Sequence, residues 1–105
     1  MTSSDKFEAK QEYLQAIHLA ESAEKLLVNL DFKRVVLDYY LKGFAIKQTK
    51  ELINYPVGSS EYNEVVRQLD AISLFDNYLS NLITQGQLAR EDLIYLDVSP
   101  DDENN

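Results

Sequence analysis

Apolar residues recur at steps of three and four along three long stretches of this chain, and the spacing predicts helices over about residues 6–28, 32–54 and 60–85. No stretch alternates apolar and polar positions over a useful length, so no strand is expected. In the first helix Phe7, Leu14, Ile17, Ala20, Leu27 and Val28 draw one narrow inward stripe, with Ser3, Ser4 or Asp5 as the N-cap. Its wet face carries Glu8, Lys10, Glu12, Glu21, Glu24 and Lys25, and Glu21 precedes Lys25 by four residues, the order that favours an ion pair. In the second helix Asp31 is the expected N-cap, and Phe32, Val35, Val36, Tyr39, Tyr40, Phe44, Leu52 and Ile53 form a broad apolar face. Gly43, in its middle, costs about 1 kcal/mol relative to alanine, and close approach of a neighbouring helix is the expected compensation. The third helix opens at Ser59 or Ser60 and points Val65, Val66, Leu69, Ile72, Phe75, Leu79, Leu82 and Ile83 inward. Gly86 reads either as a C′ cap or as a glycine inside a longer helix. The apolar run Leu88, Ala89, Leu93, Ile94 and Leu96 favours a short fourth piece over about 88–96.

Between the second and third helices stands Tyr55-Pro56-Val57-Gly58-Ser59-Ser60, the strongest punctuation in the chain. Proline and glycine stop one helix and permit a reversal, and the serines can accept hydrogen bonds from the N–H groups that open the next. The expected fold is therefore all-α: a long antiparallel helical hairpin with an additional N-terminal helix alongside. A chain of 105 residues allows one domain, taken as 1–98, followed by an acidic, disordered tail at 99–105.

Charge changes this picture because it is unevenly placed. Residues 33–50 carry Lys33, Arg34, Lys42, Lys47 and Lys50 against Asp38 alone, a net of +4, within a chain of net −8. From Glu51 onward eleven acids face two arginines. Such a split keeps exposed faces soluble, and it also provides complementarity between the basic segment of one copy and the acidic half of another.

The chemistry is sparse. There is no cysteine, so disulfides and thiolate catalysis are excluded, and the single histidine, His18, lies at the edge of the first stripe as a structural or exposed side chain. Asp70 and Asp76 lie within the third helix, where pairing with a neighbouring base is worth little. No phosphate-cradling glycine loop, dinucleotide fingerprint or calcium loop occurs, and neither an enzyme nor a cofactor nor a metal is expected. The longest apolar run is about four residues and the N-terminus lacks a basic, apolar leader, so no membrane span or export is expected and the protein should stay in the cytoplasm. Direct nucleic-acid binding is disfavoured. The lysines are interleaved with aromatics, but those aromatics sit where the core should be, and the net charge repels phosphate.

The stretches Asn29-Leu30-Asp31-Phe32-Lys33-Arg34-Val35-Val36-Leu37-Asp38-Tyr39-Tyr40, Gln68-Leu69-Asp70-Ala71-Ile72 with Tyr78-Leu79, and Gln85-Gly86-Gln87-Leu88-Ala89 resemble a family of small helical-hairpin proteins of tailed bacteriophages and prophages. The likeness covers about residues 24–96. In that family the opening pattern is Asn-Pro-Asp-Phe-Lys and the later one Gln-Leu-x-Ala-Ile-Gly; here Leu30 replaces the proline and Ser73 the glycine, which bears on the helix boundary and on local packing. The resemblance implies a phage origin and a structural or assembly role in the virion, with localisation in the virion and the host cytoplasm. It supplies no catalytic residues. Expected partners are further copies of the chain or other virion proteins, met through Tyr39, Tyr40, Phe44 and Tyr78 and through Lys33, Arg34, Lys47 and Lys50. The competing functions are an acidic inhibitor of a host enzyme that mimics DNA, and a small regulatory protein associated with nucleic acid.

Overall fold

A computed structural model describes residues 2–98, which form α1 (Ser3–Leu27), a continuous helical arm from Leu30 to Asn54, and α4 (Ser60–Val98), with no strand among the described residues. The arm is built of α2 (Leu30–Phe32), a π-helical stretch (Lys33–Phe44), α3 (Ala45–Glu51) and a closing 3₁₀ turn (Leu52–Asn54). The all-α class expected from the spacing is what the chain adopts. The acidic tail expected at 99–105 lies outside the described residues.

The helix starts are set by side chains that accept orphan backbone N–H groups, and two of them differ from expectation. Thr2, rather than Ser3, Ser4 or Asp5, caps α1: its Oγ1 accepts from the Asp5 N–H at 3.1 Å. Asn29, rather than Asp31, caps the arm, its Oδ1 accepting from the Phe32 N–H at 2.9 Å from an extended backbone. The connection from α1 is thereby confined to Val28 and Asn29. Ser59 caps α4 as expected, accepting from the Tyr62 N–H at 3.2 Å. Before it, Tyr55 is extended ahead of Pro56, the Ser59 N–H donates to the Pro56 carbonyl at 3.0 Å, and Gly58 takes φ +85, where a side chain would be strained.

Packing divides the described residues into two compact units, one of residues 2–25 with residues 80–98, the other of Leu26–Leu79. In the first, α1 buries Ile17, Ala20 and Ala23, and the second half of α4 buries Gly86, Ala89 and Leu96. Small residues dominate this seam because the helices come very close. A Cβ built on Gly86 collides with the Ala20 Cβ and would stand 3.4 Å from the Ala16 carbonyl oxygen. Four residues further along both helices, Glu24 faces Arg90 at 4.0 Å, so the two contacts advance together. The seam runs over alanines, and Phe7 and Val28, expected inward, are exposed.

In the second unit, the rings of Tyr40 and Phe44 are stacked at 6.1 Å and Tyr40 meets Phe75 of α4 edge-on at 6.1 Å, which fixes the arm against α4 as the expected antiparallel hairpin. Val65, Ile72 and Leu79 are its buried residues. Along the arm the half-buried positions Phe32, Val36, Tyr40 and Phe44 come every four residues, a wider period than 3.6, as a π-helical stretch requires. That wider turn moves Val35 and Tyr39 out to solvent and brings Leu37 and Leu41 inward; Ile53, in the closing 3₁₀ turn and also expected inward, is exposed.

The glycine roles are exchanged. Gly43 meets only its own helix, with Asp38 O and the Tyr39 ring at 3.5 Å, so close helix approach is not its reason for being there. Gly86 is the close-approach glycine, and it lies inside α4. The expected break at Gly86 and the separate piece over 88–96 do not occur: α4 is one helix of 39 residues. Its buried residues Val65, Ile72, Leu79 and Gly86 come every seven residues, and Ala89 and Leu96 are buried beyond them.

Candidate contact surfaces

The residues expected to make contacts are separated by the fold into different environments, all within Leu26–Leu79. Tyr40 and Phe44 are half-buried and spend their ring faces on each other and on Phe75. Tyr39 tilts against Phe44 at 6.1 Å yet remains largely exposed, as does Tyr78. These two are the aromatics of the set that present most of their surface to solvent.

The basic members are likewise dispersed. The Lys33 ammonium donates to the Asp38 carboxylate at 2.8 Å, across an i,i+5 spacing that the wide turn brings into reach. This hydrogen bond holds the Asp38 carboxyl below its usual range; desolvation opposes it, and the charges of Lys33 and Lys42 add to it. Arg34 is exposed beside it. Lys47 enters an open cleft of about 470 Å³ at the turn end of the hairpin, shared with Glu51, Glu61, Glu64 and Gln68. Glu64 is held by Arg67 at 2.9 Å, and Asn54 donates to Glu51 at 3.4 Å. The Gln68 Oε1 is buried without a hydrogen bond, yet the cleft offers no nucleophile paired with a base and no convergent metal ligands.

Lys50 belongs to a different feature. With Leu41, Lys42, Ala45, Ile46 and Thr49 it lines a shallow, mainly apolar groove of about 510 Å³ on the outer face of the arm. Ile46, 57% exposed, is among its lining residues, and the Thr49 hydroxyl is turned to its own helix, donating to the Ala45 carbonyl at 2.8 Å. This groove escaped the helical stripe because its apolar members lie between lysines. A second exposed apolar face lies in the other unit, at the end of α4, where Leu88, Ile94 and Val98 stand beside Glu91 and Asp97. The signal for it was present in the sequence: Leu88 and Ile94 fall off the seven-residue stripe that Ala89 and Leu96 continue.

His18 is exposed on α1, next to Leu14 and Leu19 in a shallow depression. No helix among the described residues is long and apolar enough to cross a membrane, and no group of three or more potential metal-binding side chains occurs among them. No family model, no curated protein and no solved structure matches this chain.

Proposed function

We propose that this chain is a small structural or assembly protein of a tailed-phage virion, acting through helix-mediated contacts with other proteins rather than through catalysis. The observation that carries the contact role is the amount of large apolar side chain left in solvent on regular helix. Ile46, Leu74, Ile94 and Val98 are each more than half exposed, whereas the buried core contains alanines at Ala20, Ala23 and Ala89. Exposed apolar faces of this kind on a rigid element mark protein contacts.

The phage assignment rests on the sequence resemblance alone, and the Asn29 cap bears only on the departure at Leu30. It puts Leu30 at the first helical position, where the family pattern carries proline, the residue that loses no hydrogen bond there.

Mass spectrometry of virions purified from cells carrying the parent phage tests the proposal. The chain should be present at a copy number set by the symmetry of the particle. A chain confined to the infected cell and recovered with a host enzyme would replace the virion role with that of an acidic inhibitor, for which the net charge of −8 is suited.

A further inference from the structure

The groove on the arm and the exposed end of α4 have opposite charge and similar apolar character. The groove is lined by half-buried Leu41 and Ala45, by exposed Ile46, and by Lys42 and Lys50. The end of α4 presents Leu88, Ile94 (67% exposed) and Val98 with the carboxylates of Glu91 and Asp97 among them. Successive members, Leu88, Glu91, Ile94 and Val98, are three, three and four residues apart and so lie on one side of the helix. In the groove, Lys42, Ile46 and Lys50 are four apart, so each lysine stands one turn from the central isoleucine.

We infer that a second copy of this chain seats the outer face of its α4 end in this groove, so that copies join head to tail. Burying Ile46 against Ile94 and Val98 removes apolar surface from water on both sides, while Lys42 and Lys50 meet Glu91 and Asp97 at the rim. Two such helix faces pack as side chains of one set between those of the other. Because the groove and the α4 face are different surfaces of the same chain, a head-to-tail contact is heterologous: a joined pair keeps one free groove and one free α4 end, and the association grows into a ring or an open filament. The inference rests on the contact role proposed above and names its partner.

The test uses the full chain and two variants at exposed positions. Ile46→Asp puts an acid in the basic groove; Ile94→Lys puts a base on the acidic face. Circular dichroism should show both to be folded like the parent. Sedimentation should show the parent chain associating, each variant associating about tenfold or more weakly, and a mixture of the two regaining association, with one copy of each in the smallest complex, because one chain supplies an intact groove and the other an intact α4 face. Association should also weaken between low salt and about 0.15 M, where charges further apart than about 8 Å are screened. Variants that associate like the parent, or a mixture no better than either alone, would overturn the head-to-tail contact. So would a parent chain that is monomeric at every accessible concentration. A monomer still found in purified virions would leave the contact role standing with a different virion protein as partner, whereas a self-associating chain absent from virions would remove the virion role and keep the groove.

Discussion

Gly86 of α4 lies against Ala20 of α1 so closely that no side chain fits between them. Each residue therefore fixes the size of the other. A methyl group at 86 also closes on the Ala16 carbonyl oxygen, which belongs to helical backbone and cannot swing aside.

Gly86→Ala should therefore destabilise the protein by about 1–3 kcal/mol, more than offsetting the roughly 1 kcal/mol that alanine gains over glycine inside a helix. Urea unfolding of Gly86→Ala alone and combined with Ala20→Gly measures this. The double variant should recover part of the loss, and a stabilising Gly86→Ala would mean that the two helices do not touch there.

The other two glycines should answer the same substitution differently. Gly43→Ala meets only ordinary contacts at 3.5 Å and should stabilise the chain by up to about 1 kcal/mol. Gly58→Ala has open space around it but sits at φ +85, and should cost about 1 kcal/mol through backbone strain. Thermal melts of the two variants should move in opposite directions.

Ile72 is 5% exposed and Leu69, one turn before it, is half-buried. Ile72→Ala should cost about 2–5 kcal/mol in chemical denaturation, because it both returns a side chain to water and leaves a cavity. Leu69→Ala should cost less, and His18→Ala, on an exposed position, under about 0.5 kcal/mol. Equal losses at all three would show that the inward face of α4 is misassigned.

Removing the Asn29 cap should loosen the start of the arm. Asn29→Ala deprives the Phe32 N–H of its acceptor and should cost about 1 kcal/mol, whereas Asp31→Ala, inside the first turn, forfeits only a favourable interaction with the helix dipole and should cost less. Hydrogen exchange at the Phe32 amide distinguishes the two, rising in the Asn29 variant alone.

Asp38 should titrate lower in the folded protein than in the unfolded chain, because Lys33 donates to its charged form. A depressed folded value means that the pair's contribution is present at and above the ordinary carboxylate pKa of about 3.9 and is lost as pH falls through the lower folded value. Both side chains are about half exposed, so the effect on global stability is small and the readout is the titration itself. Carboxyl NMR of Lys33→Met should show the Asp38 midpoint moved upward, and an unmoved midpoint would exclude the ion pair as the cause.

The sequence by itself determined the helical class and the end of the hairpin. Steps of three and four placed Val65, Val66, Leu69, Ile72, Phe75, Leu79, Leu82 and Ile83 on the inward side of α4, and all of them are buried or half-buried. The turn was legible because proline, glycine and serine act through local backbone chemistry, with no help from distant residues. Local chemistry also explains why the caps were misplaced by only a residue or two: Thr2 and Asn29 compete with neighbouring Ser3 and Asp31 for the same task. Tertiary structure alone decided the rest. Whether a glycine ends a helix or admits a neighbour depends on what lies opposite, and nothing around Gly86 in the chain announces Ala20. Which apolar side chains stay in solvent is likewise a matter of how the helix is wound. The wider turn over Lys33–Phe44 sends Val35 and Tyr39 outward and Leu37 and Leu41 inward, a rotation that a 3.6-residue period cannot anticipate. The groove around Ile46 therefore became visible only once packing had used up the other apolar side chains, whereas the face around Ile94 was foreshadowed by Leu88 and Ile94 falling off the stripe.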